Sequence, residues 1–411
     1  MVEQVWRQES SRLLGALLRI TRSVDRAEDL AQEALAQALE SWPRTGVPDH
    51  PAAWLMSTAK RRAIDQFRAG ERQLRAYAEV GAGTRDAYEA EFDQALTDEH
   101  VRDDVLRLMF TCCHPALTPE SRTVLTLRLV AGLSTREIAR AFLSSESTVA
   151  SRISRAKRTL AEARAPMEEP VGQERSERLD SVMSAVYLVF NEGHTATEGE
   201  DWTRPDLCRE AVRLAAILAS VTPSEPEAHA LLALLELQSS RLAARVGPNG
   251  EPVLLADQDR SRWDADAISR GMAALDVAVR LGGDGPYVLQ AAIAAEHARA
   301  ASVETTDWER IAGLYARLAR ATGSLVVELN RAVALARARG PEAGLAVVDD
   351  LMTAPALARY HLLPSVRGDL LEQLGRHDEA AAEFRRAAGL ASNDRERAML
   401  RARAEAQGTS S

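Results

Sequence analysis

Aromatic residues make up only 4% of this 411-residue chain, cysteine occurs three times, and lysine twice against forty-nine arginines. Each scarcity excludes something. A β-sandwich or barrel needs alternating runs of Val, Ile, Thr, Tyr and Phe. Such runs are nearly absent here, whereas the helix formers Ala, Leu, Arg and Glu recur throughout. Three cysteines build no disulfide framework, and Cys112 and Cys113 are adjacent, where a mutual bridge is strained. No stretch of about 18 apolar residues occurs, and the segment from Met1 to Ser11 lacks the apolar core of a secretion signal. The expectation is an all-α, cytoplasmic chain with reduced thiols, long enough for two to four domains at roughly 100 to 200 residues each. The bias of arginine over lysine reads as a coding preference.

Charge is unevenly spread. The net charge is −9, yet residues 1–165 hold 24 basic and 23 acidic residues, and the remainder holds 27 against 37. The acidity therefore belongs to the C-terminal part. Two windows in the first part are locally basic, Lys60 to Arg75 and Arg152 to Arg164, and positions 147–161 contain no acidic residue. Such stripes are either footprints on phosphate or solvated basic faces.

Helical spacing organises the chain into three blocks. Leu13, Leu14, Leu17 and Leu18 mark one helix, and Leu30, Ala34, Leu35, Ala38 and Leu39 a second that stops at Ser41-Trp42-Pro43. Pro51 opens a third through Arg68. Gly70 and Gly81 to Gly83 bracket a polar linker, acidic from Tyr77 to Asp93. Four short helices follow, at Asp98 to Thr111, Thr118 to Val130, Ser134 to Phe142 and Glu146 to Ala163. From Arg178 onward, breaks at Pro223, Pro248, Gly282-Gly283, Gly323, Gly340-Pro341, Pro364 and Gly375 predict stacked helical hairpins.

The segment from Leu133 to Arg158 carries the strongest local signal. Ser134 and Glu137 form a capping box, and Ile138, Ala139 and Phe142 give the helix after it a buried face. A short turn leads to a second helix in which Val149, Ile153 and Ala156 face inward. Glu146, Ser147, Thr148, Ser151, Arg152 and Arg155 then point outward, as in a helix-turn-helix that offers its second helix to the major groove. Arginines there reach guanine edges or phosphates, and the hydroxyls bond phosphate or bases. The competing reading is an ordinary antiparallel helix pair with a basic face.

Farther upstream, Asp25, Glu28, Asp29, Gln32 and Glu33 fall on one outward arc of the second helix. In the third, Leu55, Met56, Ala59, Ala63 and Phe67 share one arc, and Trp54, Ser57, Thr58, Arg61, Asp65 and Arg68 the other. Trp54 on a polar face suits stacking on an unpaired nucleotide, or packing on the neighbouring helix.

In this order, the motifs resemble the extracytoplasmic-function (ECF) sigma factors of bacterial RNA polymerase, in the sigma-70 family. The residues that carry the resemblance are Asp29, Leu30, Gln32 and Glu33, then Trp54, Leu55, Ala59, Lys60, Ile64, Asp65 and Arg68, then Thr148, Arg152, Ile153, Arg155, Ala156, Lys157 and Leu160. Arg61 departs from the pattern, which usually has Asn there. The resemblance implies that Asp25, Glu28, Asp29, Leu30, Gln32 and Glu33 dock on core polymerase. It implies that Trp54, Thr58, Lys60, Arg61, Arg62, Asp65 and Arg68 engage the −10 promoter element. The −35 element falls to Thr135, Arg136, Glu146, Ser147, Thr148, Ser151, Arg152, Arg155, Lys157 and Arg158. The implied domains are sigma region 2 over 1–70, a linker over 71–97, sigma region 4 over 98–165, and an extension over 176–411.

The extension resembles tetratricopeptide (TPR) repeats. Leu371, Leu374, Gly375, Ala380, Phe384 and Ala387 are the small and large positions that let two helices pack closely, and Asn330, Ala332, Leu335, Ala336, Gly340, Ala343 and Leu345 repeat that rhythm. Together with the segments Tyr187 to Gly193 and Leu207 to Leu214, this resembles an ECF subgroup whose tail, rather than a separate membrane anti-sigma protein, regulates it. Whether the tail restrains or enables, and whether it folds back on the sigma domains or takes a protein partner, stays open at this point.

Other candidates are weaker. Cys112, Cys113, His114 and Cys208 lack the ligand spacing of a zinc site, so no metal or cofactor is expected. Asn191, Glu192 and His194 lack a nucleophile or phosphate loop, so no enzyme is expected, and Gly193 reads as a helix C-cap. His297, His361 and His377 read as surface residues. The sequence thus predicts a cytoplasmic, nucleoid-associated sigma factor whose partners are core polymerase and promoter DNA, with no membrane. The alternatives are a stand-alone helix-turn-helix transcription regulator with a TPR-like sensor, and an adaptor scaffold.

Overall fold

A computed structural model of the chain describes residues 2–75, 98–142, 144–163, 170, 172–194, 203–248 and 251–408. Among the described residues the regular structure is helical, with a single isolated β-bridge between Val246 and Pro252. No helix is long and apolar enough to cross a membrane. The chain divides into two units, residues 1–188 with 220–222, and residues 189–219 with 223–411.

In the first unit, α1 (Val2–Thr21), α2 (Val24–Thr45) and α3 (Pro51–Arg75) pack together, and α4 (Asp98–Cys112), α5 (Pro119–Leu129), α6 (Thr135–Ala141) and α7 (Glu146–Glu162) follow. The expected helices are therefore present, but α3 runs on through Gly70 to Arg75, seven residues past the end expected at Arg68 and into the expected linker, since one glycine inside a helix weakens it without ending it. Leu13, Leu14, Leu17 and Leu18 are buried, each worth roughly 1.5–3 kcal/mol over an exposed leucine. Chain entry into helices is set by side-chain caps. Ser23 accepts from the Arg26 amide, Thr118 from Ser121 and Ser145 from Thr148, and Ser134 and Glu137 close the capping box in both directions. The expected stop at Pro43 is overrun by two residues. Proline removes only its own N–H from the last turn, and Gly46, at φ +80°, ends the helix by donating to the Trp42 carbonyl at 3.0 Å.

Helix α1 also crosses α4 and touches α5, so the first three helices and the next four share one core. Gly15 makes the crossing possible, because a Cβ there would stand 2.6 Å from the Asp104 carbonyl oxygen. Beside it Asp104, 1% exposed, accepts from Arg107 at 2.6 Å and from Arg19 at 3.2 Å. Burial nevertheless outweighs both arginines and holds its carboxyl above the ordinary aspartate range. Helix α8 (Gly172–His194) begins in this unit, where Arg178 pairs with Glu174 and donates to the Phe110 carbonyl.

The second unit runs through α9 (Pro205–Val221), α10 (Pro226–Ser239), α11 (Ala265–Arg280), α12 (Pro286–Arg299), α13 (Trp308–Thr322), α14 (Leu325–Arg339), α15 (Pro341–Leu351), α16 (Leu362–Gln373), α17 (His377–Leu390) and α18 (Asp394–Gly408). From α10 onward each helix packs on the next, the arrangement of a helical-repeat array. Phe384 is fully buried against Gly368, and Gly344 sits on the backbone of Ala332, which is the expected alternation of small and large. Two expectations need correction. Pro364 does not break a helix but occupies the first turn of α16, where its missing N–H costs nothing. Gly193 is not a C-cap, since α8 continues to His194. Its hydrogen-only side chain instead admits Cys208, whose backbone nitrogen would lie 2.8 Å from a Cβ.

Candidate nucleic-acid interface

Helix α7 presents two faces. Val149, Ile153, Ala156 and Leu160 are buried against α5 and α6, leaving Glu146, Ser147, Thr148, Ser151, Arg152, Arg155 and Arg158 exposed as expected. A shallow hollow is lined by Ser147, Thr148, Ser151, Arg152 and Arg155. The Ser145 hydroxyl lies 2.9 Å from that of Ser147 and 2.8 Å from that of Thr148, so three hydroxyls crowd a helix N-terminus. Amides, hydroxyls and guanidinium groups converging on one face match the chemistry of a phosphate backbone and of base edges. Arg136 is exposed in α6 and Thr135 half-buried.

Helix α3 supplies a second basic face. Trp54 is half-buried and meets Trp42 edge to face, with ring centroids 5.3 Å apart. The packing role expected for it as one option is thus in place. Thr58, expected outward, is 1% exposed. It sits beside buried Leu55, Met56 and Ala59, and its hydroxyl accepts from Arg61 at 3.4 Å. Arg61 and Arg62 are exposed and Lys60 half-buried, with Arg62 reaching Glu33 at 3.6 Å. The side chains of Asp65 and Arg68, and most of the expected linker, lie outside the described residues.

On α2 the expected docking arc divides. Asp25 and Asp29 are exposed, Gln32 and Glu33 half-buried, and Leu30 is core. Glu28, expected outward, is 7% exposed. Its carboxylate accepts from Arg128 of α5 at 2.8 Å and pairs with Lys157 of α7 at 2.5 Å. Lys157 also reaches Asp25 at 3.0 Å. Lys157, expected on DNA, is therefore engaged with two of the residues expected on the polymerase. Burial alone depresses its amine, but Glu28 and Asp25 more than reverse that and hold it above the ordinary lysine value. Arg128 completes the joint by donating to the Leu133 carbonyl at 3.1 Å, at the entry to the helix-turn-helix. Sequence reasoning assigned Arg128 nothing. The available signal was an arginine set between Leu127 and Leu129 in a helix of buried residues.

No group of three or more His, Cys, Asp or Glu is placed to hold a metal among the described residues. Cys112, Cys113 and Cys208 are fully buried. Burial raises all three thiols, Cys113 to about 11 and Cys208 to about 12, leaving them protonated and unreactive.

Comparison with known proteins agrees with this geometry. Residues 5–73 match the family described as Sigma-70 region 2, and residues 107–160 that described as Sigma-70, region 4. Residues 178–279 match a family of unknown function, DUF6596. An uncharacterized protein of Rhizobium meliloti (strain 1021) is 47% identical over 388 residues, 94% of this chain and 91% of that protein. The ECF RNA polymerase sigma factor SigK of Mycobacterium tuberculosis (strain ATCC 25618 / H37Rv) is 30% identical over 155 residues, covering 36% of this chain and 78% of SigK. The probable ECF RNA polymerase sigma factor SigI of Mycobacterium tuberculosis (strain CDC 1551 / Oshkosh) is 27% identical over 164 residues, 40% of this chain and 55% of that protein.

Proposed function

Because the chain belongs to the ECF RNA polymerase sigma factors of the sigma-70 family, we propose that α7 reads the −35 element, that α3 engages the −10 element, and that the α2 arc docks on core polymerase. In domain terms, region 2 spans 1–70, a linker 71–97, region 4 98–165, and a modulating extension 176–411. The observation that carries the reading is the face of α7, where Ser147, Thr148, Ser151, Arg152 and Arg155 line one hollow on a stretch free of acidic residues from 147 to 161. No covalent chemistry is required of the protein. It supplies binding energy and register, and the polymerase supplies catalysis.

The ion pairs of Lys157 add a layer to this proposal. Asp25 and Glu28 on the docking arc and Lys157 on the promoter-reading helix satisfy one another. The first unit is therefore in a closed form whose polymerase-facing carboxylates are occupied. Engagement of the polymerase would exchange those pairs for intermolecular ones, so promoter reading becomes available together with core binding. The Rhizobium relative matches across 94% of this chain, so the sequence of the extension accompanies that of the sigma regions there too.

The test is run-off transcription with purified bacterial core polymerase and genomic fragments upstream of this gene. Wild-type protein gives discrete transcripts. Arg152→Ala reduces them by about 5- to 150-fold, the value of a lost base or phosphate contact of roughly 1–3 kcal/mol. Asp29→Lys weakens core binding and leaves DNA affinity unchanged. Tight duplex binding by the protein alone with no transcript would establish the stand-alone regulator instead.

A further inference from the structure

The second unit holds a concentration of basic side chains that promoter recognition does not use. Arg241 and Arg245 bracket a 3-10 turn, Leu242–Ala244, just beyond α10. Arg245 donates to the His194 carbonyl at 3.0 Å, at the end of α8, and the His194 ring stacks on Phe190. A second 3-10 turn, Arg260–Arg262, packs on the first. From it Arg260 donates to the carbonyls of His297 and Ala300 at 2.6 and 2.5 Å, and lies 5.0 Å over the Trp263 ring. His297, in the last turn of α12, meets Trp308 edge to face at 5.3 Å. Three guanidinium groups and two imidazoles are thus gathered at the ends of separate elements.

Charge compensation elsewhere in this unit is close. Buried Glu210, Glu236 and Glu296 are each matched by arginine, at 2.6 Å to Arg213, 2.8 Å to Arg270 and 2.9 Å to Arg299. Arg241 differs. Its guanidinium donates to the neutral Gln238 amide oxygen at 3.0 Å, and among the described residues no carboxylate pairs with it. Arg260 spends its donors on carbonyls and a hydroxyl. The Nδ1 atom of His297 is buried and has no hydrogen-bond partner among the described residues. The electrostatic consequence is consistent. Burial first, and then the charges of neighbouring arginines, pull Arg245 down to about 9 and His297 to about 4, and burial pulls Arg241 to about 10. Among the described residues Arg241 thus holds its charge with no carboxylate paired to it, which costs free energy that a bound anion would recover. Access exists, since Arg241, His194, His297 and Tyr315 are only partly buried.

We propose that this cluster is a binding site for a small oxyanion, a carboxylate or phosphate group on a diffusible solute, clasped by Arg241 and Arg245 with His297 donating at its edge. Planar guanidinium forks suit two-oxygen groups, and half-buried Tyr315 of α13 is near enough to Arg241 to bear on its charge. The site lies wholly within the second unit, so it stands independently of the promoter-reading assignment. It gives the extension a chemical input, with the ligand ordering the ends of α8, α10 and α12 together.

The experiment is thermal unfolding of the full-length chain in a zwitterionic buffer, titrated separately with inorganic phosphate and with succinate. Sodium chloride at matched ionic strength is the control. A bound oxyanion raises the melting temperature by roughly 3–6 °C for each tenfold of anion above its Kd. The phosphate and succinate arms distinguish the two chemistries. Arg241→Gln abolishes the response, while Arg280→Gln, at an exposed arginine of α11, keeps it. His297→Gln, which leaves both forks in place, weakens the response and serves if Arg241→Gln fails to fold. No rise beyond the chloride control with either anion overturns the proposal. So does a rise that survives unchanged in Arg241→Gln or, where that variant does not fold, in His297→Gln.

Discussion

Replacing Lys157 by alanine opens the first unit and tightens core binding. Lys157 spans two carboxylates, Glu28 at 2.5 Å and Asp25 at 3.0 Å, from a side chain only 16% exposed. Breaking a fully buried pair costs about 3–5 kcal/mol, and an exposed one about 0–1. Here Glu28 keeps Arg128 at 2.8 Å, and Asp25, 62% exposed, regains water. The loss therefore falls between those limits, at about 1.5–2.5 kcal/mol, which shifts a closed-to-open equilibrium by roughly 10- to 70-fold. While the open form is the minor one, apparent affinity for core polymerase improves by the same factor, because the dissociation constant is divided by the open fraction. The assay titrates fluorescently labelled full-length protein with core polymerase in the absence of DNA, so any contact of Lys157 with a promoter is silent. Arg158→Ala, at an exposed neighbour on the same helix, changes affinity by less than about twofold, as exposed ion pairs do. A folded Lys157→Ala variant whose core affinity is unchanged or weaker refutes the closed-form argument.

Two further outcomes follow from packing and titration. Gly15→Val drives a side chain onto the α4 backbone at Asp104, where the clash is with a carbonyl oxygen at 2.6 Å and not with a movable side chain. The overpacking costs about 1–3 kcal/mol, seen as a drop of about 2–4 °C in the first unit's melting temperature per kcal/mol, and a drop below about 2 °C rejects the close crossing. His297 titrates at about 4 in the folded chain against an ordinary 6.5, so it is neutral when folded and protonates more readily when unfolded. Its contribution to stability is full above pH 6.5 and is lost as pH falls to 4, roughly 3 kcal/mol in all. His297→Gln flattens that slope in melts across the range, and an unchanged slope argues against a depressed imidazole.

Local rules carried much of the architecture. The capping box at Ser134 and the period of Val149, Ile153 and Ala156 located helices to within a residue or two, because each depends on neighbours a few positions away. The exposed face of α7 was legible for the same reason. Glu28 was not. An angular projection of α2 places it beside Asp25 and Asp29, and what buries it is Arg128, one hundred residues distant. The same limit hid the environment of His297, which read as a surface residue. Its burial comes from Trp308 and Arg260, which reach it from other elements. Similarly His361 and His377, also read as surface residues, meet Glu396 at 3.0 Å and Gln407 at 2.7 Å. Sequence periodicity reports which side of a helix is apolar. It does not report which polar groups a distant element brings to that side.

The ion-paired Lys157 is one of only two lysines in the chain, and this makes the protein its own reporter. An amine-reactive reagent finds Lys60, Lys157 and the α-amino group and little else. In the closed unit the Lys157 amine is mostly covered and held charged by its carboxylates, both of which suppress attack. Its labelling rate, normalised to that of Lys60 on α3, is therefore a clock for opening. Mass spectrometry can read that clock on unmodified protein, with polymerase, promoter or solute added in turn.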